Sequence, residues 1–376
     1  MFTRLAQGLA ALYGSPAVMS LLLLSVAGLA PESHLIQTLK GTNRLDSELQ
    51  RADTQGYYEE LIQVARSAQF PANPDDDRRV APPPGYVRFG AAGIVEEVSD
   101  YLHWHMRPNL DLNWNGVSFR TNRHGYRTPD FVPEKPEGTY RIVIFGSSNT
   151  MGHGVGDDAP YPRILESWLR ARCPNQPIEV LNLAVSGESP SRRLARIQRE
   201  AGRLHADWLL CDASTLDFSL EEIHLQAIVR SSPPIAIPFP FISQAIQRSG
   251  VAASDPPEAF RRKLRDQFEP ILEGCYAGWE TEARKLGIPL TVLFLPRADR
   301  KQQSPRILER MHAIARRCHL DVIDLTHAFH GLEPAEFRVA PWDSHPSRRG
   351  HQAIASALQT VILQRGGLPG LPLNPP

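Results

Sequence analysis

Residues 141–155, which read Arg-Ile-Val-Ile-Phe-Gly-Ser-Ser-Asn-Thr-Met-Gly-His-Gly-Val, decide the fold of this chain. The four apolar residues 142–145 include three in a row that are β-branched, and they predict a buried strand. Gly146 ends that pattern, so the serines that follow lie where a parallel strand meets its crossover helix. Open α/β sheets bind their ligands at such a place. Taken alone, the segment is equally consistent with a turn whose serine only caps a helix.

A second polar segment lies almost two hundred residues downstream. Asp343-Ser344-His345-Pro346 precedes residues 352–358, whose small apolar side chains have helical spacing. A serine hydroxyl is a poor nucleophile until an imidazole accepts its proton, and the imidazole needs a carboxylate to fix its tautomer. A lone histidine ahead of a helix is more often a cap or a surface residue. The two segments together favour a hydrolytic site.

Strands and helices alternate through the region that joins these two segments. This alternation predicts a parallel sheet with helices on both faces, a three-layer α/β sandwich. Two further helical regions are predicted at 220–247 and 259–286. The predicted strands are 141–145, 178–183, 208–212, 289–296 and 321–325.

The chain resembles the SGNH or GDSL hydrolases over roughly residues 139–363. Gly146 to Val155 is similar to the first sequence block of that family, Asn182 to Gly187 to the second, and Asp343 to Pro346 to the last. The resemblance implies an SGNH/flavodoxin-like fold with a mostly parallel sheet. It also implies a set of site residues: Ser148 as nucleophile, His345 as base, Asp343 as acid, the backbone N–H groups of Ser148 and Gly187 as an oxyanion hole, and Asn149 and Asn182 as substrate contacts.

The chain departs from the pattern of the family at three positions. Ser147 stands where aspartate is usual, and Asp343 lies two residues before His345 rather than three. Leu216 occupies the position of an asparagine whose amide donates to the oxyanion in relatives. Leucine cannot donate, and the loss of one such donor costs on the order of 3–4 kcal/mol of transition-state stabilisation.

Composition fits a folded α/β protein. The 376 residues include 41 basic and 41 acidic side chains, with no basic stripe that would favour nucleic acid. The spacing of the four cysteines, Cys173, Cys211, Cys275 and Cys318, is not that of a metal site. Whether Cys173 forms a disulfide with another cysteine is left open by the sequence. The sequence contains no zinc motif, P-loop or dinucleotide-binding motif, so we expect neither a metal nor a cofactor.

The remaining segments predict the domain organisation. Residues 1–30 are an apolar stretch that reads as a signal anchor or a signal peptide, or less simply as a buried helix. Residues 31–85 are interpreted as a helical segment and linker, and residues 86–138 as an extension with a hairpin turn at 113–116. Within the extension, we expect either that Arg127 or His124 lies near a ligand or that the whole extension is a structural β-arm. Residues 139–365 form the catalytic domain, and 366–376 a disordered tail.

These observations predict a serine esterase that acts on small acyl esters, such as acetyl esters of a cell-envelope glycan or lipid. Two alternatives remain: an O-acyltransferase that passes the acyl group to a sugar hydroxyl, and a glycan-binding protein in which catalysis is impaired. We expect a membrane-anchored, periplasmic or otherwise extracytoplasmic catalytic domain, or a secreted one. Its expected partners are the ester substrate and the inner membrane, with no nucleic acid.

Overall fold

The computed structural model describes residues 81–298 and 305–373. The strands of these residues, in chain order, are β1 (Val95–Glu97), β2 (Trp104–Met106), β3 (Asp111–Trp114), β4 (Val117–Arg120), β5 (Tyr140–Phe145), β6 (Ile178–Asn182), β7 (Trp208–Ala213), β8 (Leu290–Phe294), β9 (Asp321–Asp324), β10 (Arg338–Ala340), β11 (Asp343–Pro346), β12 (Gly367–Leu368) and β13 (Leu371–Pro372). Each of the five predicted strands is present, within a few residues of its expected bounds.

A five-stranded sheet with the order β6-β5-β7-β8-β9 forms the centre of the molecule, and every neighbouring pair is parallel. Every residue of β5, β7 and β8 is buried. These strands are covered on both faces, which is why their sequences are nearly continuous apolar runs rather than alternating ones. The carboxyl ends of all five strands meet at one edge, where β5 leads directly into Gly146 and Ser147.

The α-helices of the described residues are, in chain order, α1 (Ser148–Met151), α2 (Tyr161–Arg172), α3 (Pro190–Leu204), α4 (Asp217–Arg230), α5 (Pro240–Ser249), α6 (Pro257–Leu264), α7 (Phe268–Leu286), α8 (Pro305–Arg317), α9 (Pro334–Phe337) and α10 (Arg348–Gln364).

Two hydrophobic cores, one on each face of the sheet, make the fold a three-layer sandwich. Helices α3, α7 and α8 contribute to the core that contains Val143 and Phe145 of β5. Helices α2 and α10 contribute to the core that contains Ile142 and Ile144. Alternate residues of one strand therefore face opposite layers, as the two-residue period of a strand requires. The predicted α/β architecture is confirmed.

The N-terminal extension contains two small antiparallel sheets, β1–β2 and β3–β4. The predicted hairpin turn lies between β3 and β4, where Asn115 and Gly116 have φ angles of 49° and 87°. Positive φ at both central residues is the geometry of the turn that matches strand twist, and asparagine followed by glycine adopts it readily. Phe89, Trp114 and Phe119 pack into the same core as α3 and α7. The extension is thus part of the body.

Two helical predictions were too simple. The expected helix 259–286 is interrupted by a short 3₁₀ segment, Arg265–Gln267, which separates α6 from α7. Pro270 explains the break, because its ring would clash with the carbonyl four residues earlier in a continuous helix but is tolerated in a first turn. The helical region expected at 220–247 consists of two helices, α4 and α5, because prolines at 233, 234 and 238 interrupt it.

The disordered tail predicted from residue 366 is wrong for residues 366–373. Strands β12 and β13 form a small hairpin there. Leu368 and Leu373 are buried in the core that α2 and α10 share. The carbonyl of Pro369 accepts a hydrogen bond of 2.7 Å from the Tyr140 hydroxyl. Two leucines spaced along a Gly/Pro-rich segment are enough to attach it to the body.

The predicted signal anchor at 1–30 and the helical segment as far as residue 80 lie outside the described residues, as do residues 374–376. Within residues 81–298 and 305–373, no helix is both long and apolar enough to cross a bilayer. All four cysteines are free thiols, and Cys211 is a fully buried core residue of β7.

Candidate active site

Ser148 is the first residue of the one-turn helix α1, at the carboxyl end of β5. Its side chain is fully buried. The turn before it needs glycine at position 146, because a Cβ there would overlap the carboxylate of Asp212. Gly152 ends the helix with a φ of 91°, a conformation that glycine adopts without strain. The strand, the turn and the short helix together fix the position of the Ser148 hydroxyl.

The structure brings Asp343 and His345 to this hydroxyl. Both lie on β11, which pairs with β10 in a two-stranded sheet. His345 Nε2 is 2.9 Å from Ser148 Oγ, and His345 Nδ1 is 2.7 Å from Asp343 Oδ1. Residues two apart on a strand point to the same face, so the Asp-x-His spacing places both side chains on one side of β11. The spacing that departs from the family is accounted for by this extended backbone.

The charge state of Asp343 determines the direction of the hydrogen bonds. Burial alone would raise the pKa of Asp343, but the charge and hydrogen bonds of His345, with a contribution from His153, lower it below its ordinary value. An ionised carboxylate only accepts hydrogen bonds, so the proton of His345 is on Nδ1. Nε2 then accepts from the hydroxyl of Ser148. This is the arrangement in which an imidazole can remove the serine proton.

His153 is a site residue that the sequence analysis did not single out. Its ring stacks on that of His345, with centroids 3.9 Å apart and planes 19° apart. Burial, with the charges of His345 and Arg127, lowers the pKa of His153 well below its usual value, although Asp343 opposes this. The His153 ring is therefore neutral, and it packs against one face of the His345 ring. The sequence signal was weak, since a histidine between two glycines forms no recognisable pattern with residues nearly two hundred positions away.

His153, Asp343 and His345 also form the group of potential metal ligands that the described residues offer, with their donor atoms within 4.8 Å of one another. The stacked rings argue against this use. The nitrogen lone pairs lie in the ring planes, and two nearly parallel rings with centroids 3.9 Å apart do not direct them at one ion. His345 Nε2 also already lies within hydrogen-bond distance of Ser148. The geometry suits proton transfer better than metal binding.

Gly187 follows β6 in a loop at the same edge of the sheet. Its carbonyl accepts a hydrogen bond of 3.1 Å from Arg192 Nη1, and the next carbonyl, of Glu188, accepts one of 3.0 Å from Arg193 Nη2. Both arginines are fully buried on α3. That helix begins at Ser189, whose hydroxyl accepts from the backbone N–H of Arg192. The loop that carries the predicted oxyanion donor is therefore held from one side by a capped helix.

A carboxylate beneath the nucleophile turn is a second feature that sequence reasoning missed. Asp212, near the end of β7, accepts hydrogen bonds on Oδ2 from the backbone N–H of Ser147 at 2.9 Å and from Thr150 Oγ1 at 2.5 Å. Asp212 thus ties both ends of the turn that presents Ser148. The sequence signal for it was an acid inside the apolar run 208–213. Its partners lie in the turn and helix that follow a different strand, β5, so spacing could not identify them.

Arg193 connects this carboxylate to the rest of the site. Its Nη1 donates to the backbone carbonyl of Asp212 at 2.6 Å, and its Nη2 donates to Asp217 Oδ1 at 2.7 Å. All three side chains are buried. Burial would lower the pKa of Arg193, but Asp217 and Asp212 raise it well above its usual value. A charged guanidinium therefore joins the end of β7, the start of α4 and the Gly187 loop.

The remaining predicted residues make contacts of several kinds. Asn182 is fully buried, its amide donates to the Thr150 carbonyl at 2.8 Å, and its contact with substrate stays a prediction. Asn149 lies buried beside Ser148, and its contact with substrate stays a prediction.

Arg127 donates to the carbonyls of Gly152 and Val155, so it ties the extension to the site. His124 stacks on Phe131. These contacts are structural, neither residue lies in a strand, and a ligand contact of either stays a prediction.

Leu216 directly precedes α4 and packs with Leu220 and Ile223 in a small apolar cluster. Its side chain supplies no donor. Leu216→Asn is expected to raise kcat on a small activated ester by about tenfold or more, since a missing oxyanion donor costs roughly 10²–10³ in rate. The effect on KM should be smaller, because the added hydrogen bond forms mainly in the transition state. Steady-state kinetics on the purified variant measure both.

Leu220→Asn is the matched control, because it places the same amide in the same cluster one helical turn away. It should lower stability without a gain in rate. If Leu216→Asn folds normally and leaves kcat unchanged, position 216 does not face the oxyanion.

Comparison with protein families identifies one that matches more than half of the chain. A model of the GDSL-like lipase/acylhydrolase family matches residues 144–353. No curated protein matches the chain. Among solved structures, the chain is similar to Axe2, an acetylxylan esterase from Geobacillus stearothermophilus, at 17% identity and a TM-score of 0.40, over 60% of this chain and 95% of that one.

Two further solved structures are similar to the chain. The lipase Lip_vut3 from a goat rumen metagenome has 16% identity and a TM-score of 0.39, over 59% of this chain and 97% of the lipase. A two-domain esterase (CEX) active on acetylated mannans has 14% identity and a TM-score of 0.39, over 60% of this chain. The chain spans only about half of that esterase, 49% of its length.

Proposed function

Because the chain belongs to the GDSL-like lipase/acylhydrolase family and is a serine ester hydrolase, we propose that Ser148, His345 and Asp343 are its catalytic triad. The observation that supports this most is the hydrogen-bonded chain from Asp343 through His345 to Ser148, with distances of 2.7 Å and 2.9 Å. All three side chains are buried at the carboxyl edge of the sheet, where α/β proteins bind their ligands.

The mechanism proceeds through a serine ester. Ser148 Oγ attacks the carbonyl carbon of the substrate while His345 Nε2 takes the hydroxyl proton, and Asp343 stabilises the resulting imidazolium. The backbone N–H groups of Ser148 and Gly187 stabilise the oxyanion. The intermediate collapses as His345 returns the proton to the leaving alcohol. Water then attacks the acyl-enzyme with His345 as base, which releases the acid and restores Ser148.

Labelling with a fluorophosphonate tests the assignment of the nucleophile. We expect Ser148→Ala to abolish covalent labelling. Of the two neighbouring serines, 147 and 148, it is Ser148 that lies within hydrogen-bond distance of His345 Nε2. Ser147→Ala is the matched control and should keep the label, since Ser147 contacts Asp212 instead. Mass spectrometry of the labelled peptide measures the outcome. A label on Ser147 would refute the proposed alignment.

The proposed substrate is a small acyl ester, such as an acetyl ester, carried by a glycan or lipid of the cell envelope. The apolar stretch at residues 5–30 supports this, since an exported hydrolase meets envelope polymers. Leu216 keeps a weaker alternative open, a glycan-binding protein with impaired turnover. A burst of product that equals the enzyme concentration supports an acyl-enzyme and excludes the binding protein. Acceptor-dependent turnover would instead identify an acyltransferase.

The proposed location is extracytoplasmic, with the N-terminal segment as an anchor or a cleaved signal. A C-terminal fusion to alkaline phosphatase should be active, because that enzyme forms its disulfides only in an oxidising compartment. The same fusion without residues 1–30 is the control and should be inactive. An inactive full-length fusion, together with a fluorescent cytoplasmic reporter fusion, would contradict export.

A further inference from the structure

A cleft of about 480 Å³ adjoins the triad on the side of Asp343. Among the described residues, its walls include Tyr86, Trp114 and Trp342, with Val117 and Ala340 between them. Small-ligand sites are typically clefts of about 300–1,000 Å³ with mostly apolar and aromatic walls. The cleft is of this size and composition, and the proposed chemistry of the triad does not use it.

One wall belongs to the N-terminal extension and is held firmly. The Trp114 indole N–H donates to the Val87 carbonyl at 2.8 Å, and the Asn115 amide donates to the same carbonyl at 2.8 Å. The backbone N–H of Val87 donates to Asn115 Oδ1 at 2.9 Å. These three hydrogen bonds fix the turn in which the N–H of Tyr86 donates to the Pro83 carbonyl. The ring of Tyr86 is thus presented by an ordered segment.

The opposite wall belongs to the hairpin that carries the acid. Trp342 lies between β10 and β11, directly before Asp343. Val339 of β10 packs so closely on Gly154 that a Cβ at 154 would meet it at 2.9 Å. Asp343 therefore belongs both to the cleft and to the triad, and one imidazole ring, that of His345, separates it from Ser148. A ligand in the cleft would lie against the acid end of the triad, one imidazole ring away from Ser148.

The chemistry of the walls indicates an uncharged ligand with both apolar and polar faces. No cationic side chain is among the described residues that line the cleft, so nothing there pairs with a phosphate or a carboxylate. Tyr86 and Trp342 are half-buried residues, so neither is completely removed from water. A sugar ring suits such walls, because its C–H face packs on an aromatic ring while its hydroxyls stay hydrated. An acyl chain is stabilised by complete removal from water.

We propose that this cleft binds a neutral sugar unit of the substrate, with Tyr86 and Trp342 as the stacking residues. The proposal rests on the proposed function, in that the bound sugar belongs to the alcohol part of the ester that Ser148 attacks. It adds that the extension and the acid-bearing hairpin together determine which polymer the enzyme accepts.

Calorimetric titration of the full chain carrying Ser148→Ala tests the cleft without turnover. The probes are neutral pentasaccharides of xylose, mannose, glucose and N-acetylglucosamine. We expect at least one to bind, and Trp342→Ala and Tyr86→Ala each to raise its Kd about tenfold or more. Trp342→Phe should retain most of the affinity, because it keeps a ring face. Trp168→Ala, on α2 outside the cleft, is the matched control and should leave the Kd unchanged.

Three results would overturn the proposal: no pentasaccharide binds, binding survives in both alanine variants, or the variants weaken only the binding of a neutral alkyl ester. The last result would assign the cleft to an acyl chain. Turnover of a small activated ester by the wild-type enzyme is measured in parallel, since it tests the triad alone. Failure of sugar binding with normal turnover refutes the cleft, and absence of turnover with normal binding refutes the proposed function.

Discussion

His345→Ala is expected to lower kcat on a small activated ester by about 10⁴–10⁶-fold, with little change in KM. Without the imidazole, the hydroxyl of Ser148 keeps its proton and the leaving alcohol receives none. Asp343→Asn should cost roughly 10⁴-fold, because an amide at that position favours the wrong tautomer of His345. Since the three residues act as a unit, the double variant should be little worse than His345→Ala alone. Steady-state kinetics and active-site titration measure these losses.

His124→Ala is the matched control for this experiment. His124 stacks on Phe131 in the extension and touches neither Ser148 nor Asp343. Its removal should leave kcat within a few-fold of the wild-type value. If His345→Ala retains activity within about tenfold, His345 is not the base, and its stacked neighbour His153 becomes the residue to test.

The fold could be predicted in large part because the strands that matter are buried on both faces. Residues 142–145 and 208–213 are almost continuously apolar, and short runs of this kind between turn residues predict buried strands. The proposed triad was predicted from two short polar segments, one directly after a strand and one directly ahead of a helix. The spacing of Asp343 and His345 looked irregular in sequence. It became regular once both residues proved to lie on one strand, where every second side chain shares a face.

The parts that sequence could not supply are contacts between distant segments. Asp212 supports the turn of Ser148 from another strand, and His153 stacks on a histidine almost two hundred residues away. Neither partnership leaves a pattern in the local sequence. The hairpin at 367–372 depends on two leucines that reach a core formed by other elements. The contact of the Asn182 amide with the Thr150 carbonyl is of the same kind, since it joins the end of one strand to the helix after another.

Arg193→Met is expected to lower the free energy of unfolding by about 3–5 kcal/mol. The substitution leaves Asp217 buried without its cationic partner, 2.7 Å away, and it removes the donor to Asp212. Arg199→Met is the matched control, because it makes the same change on the same helix. Arg199 pairs with Asp100, but both side chains are nearly half exposed, at 47% and 45%. Such a pair contributes about 0–1 kcal/mol. Urea denaturation at pH 8 measures both.

Arg193→Lys separates charge from shape. It keeps a cation but loses the planar fork that reaches Asp212, Asp217 and Glu188 together, so its loss of stability should lie between those of the two other variants. If Arg193→Met costs no more than Arg199→Met, the buried network does not stabilise the fold, and the carboxylates must be compensated in another way.

The pH dependence provides an independent check on the same network. Burial raises the pKa of Asp217 to about 6, while the charge and hydrogen bond of Arg193 oppose that rise. Removal of Arg193 must therefore raise this pKa further. A carboxyl group whose folded pKa exceeds its unfolded value of 3.8 binds more protons in the folded state, so stability increases as pH falls through the folded pKa.

The Arg193→Met variant should begin this recovery of stability at a higher pH than the wild type. The difference in unfolding free energy between them should consequently shrink from pH 8 to pH 6, whereas that of Arg199→Met should stay nearly constant. A constant or growing difference for Arg193→Met would mean that Asp217 is not the carboxylate that Arg193 stabilises.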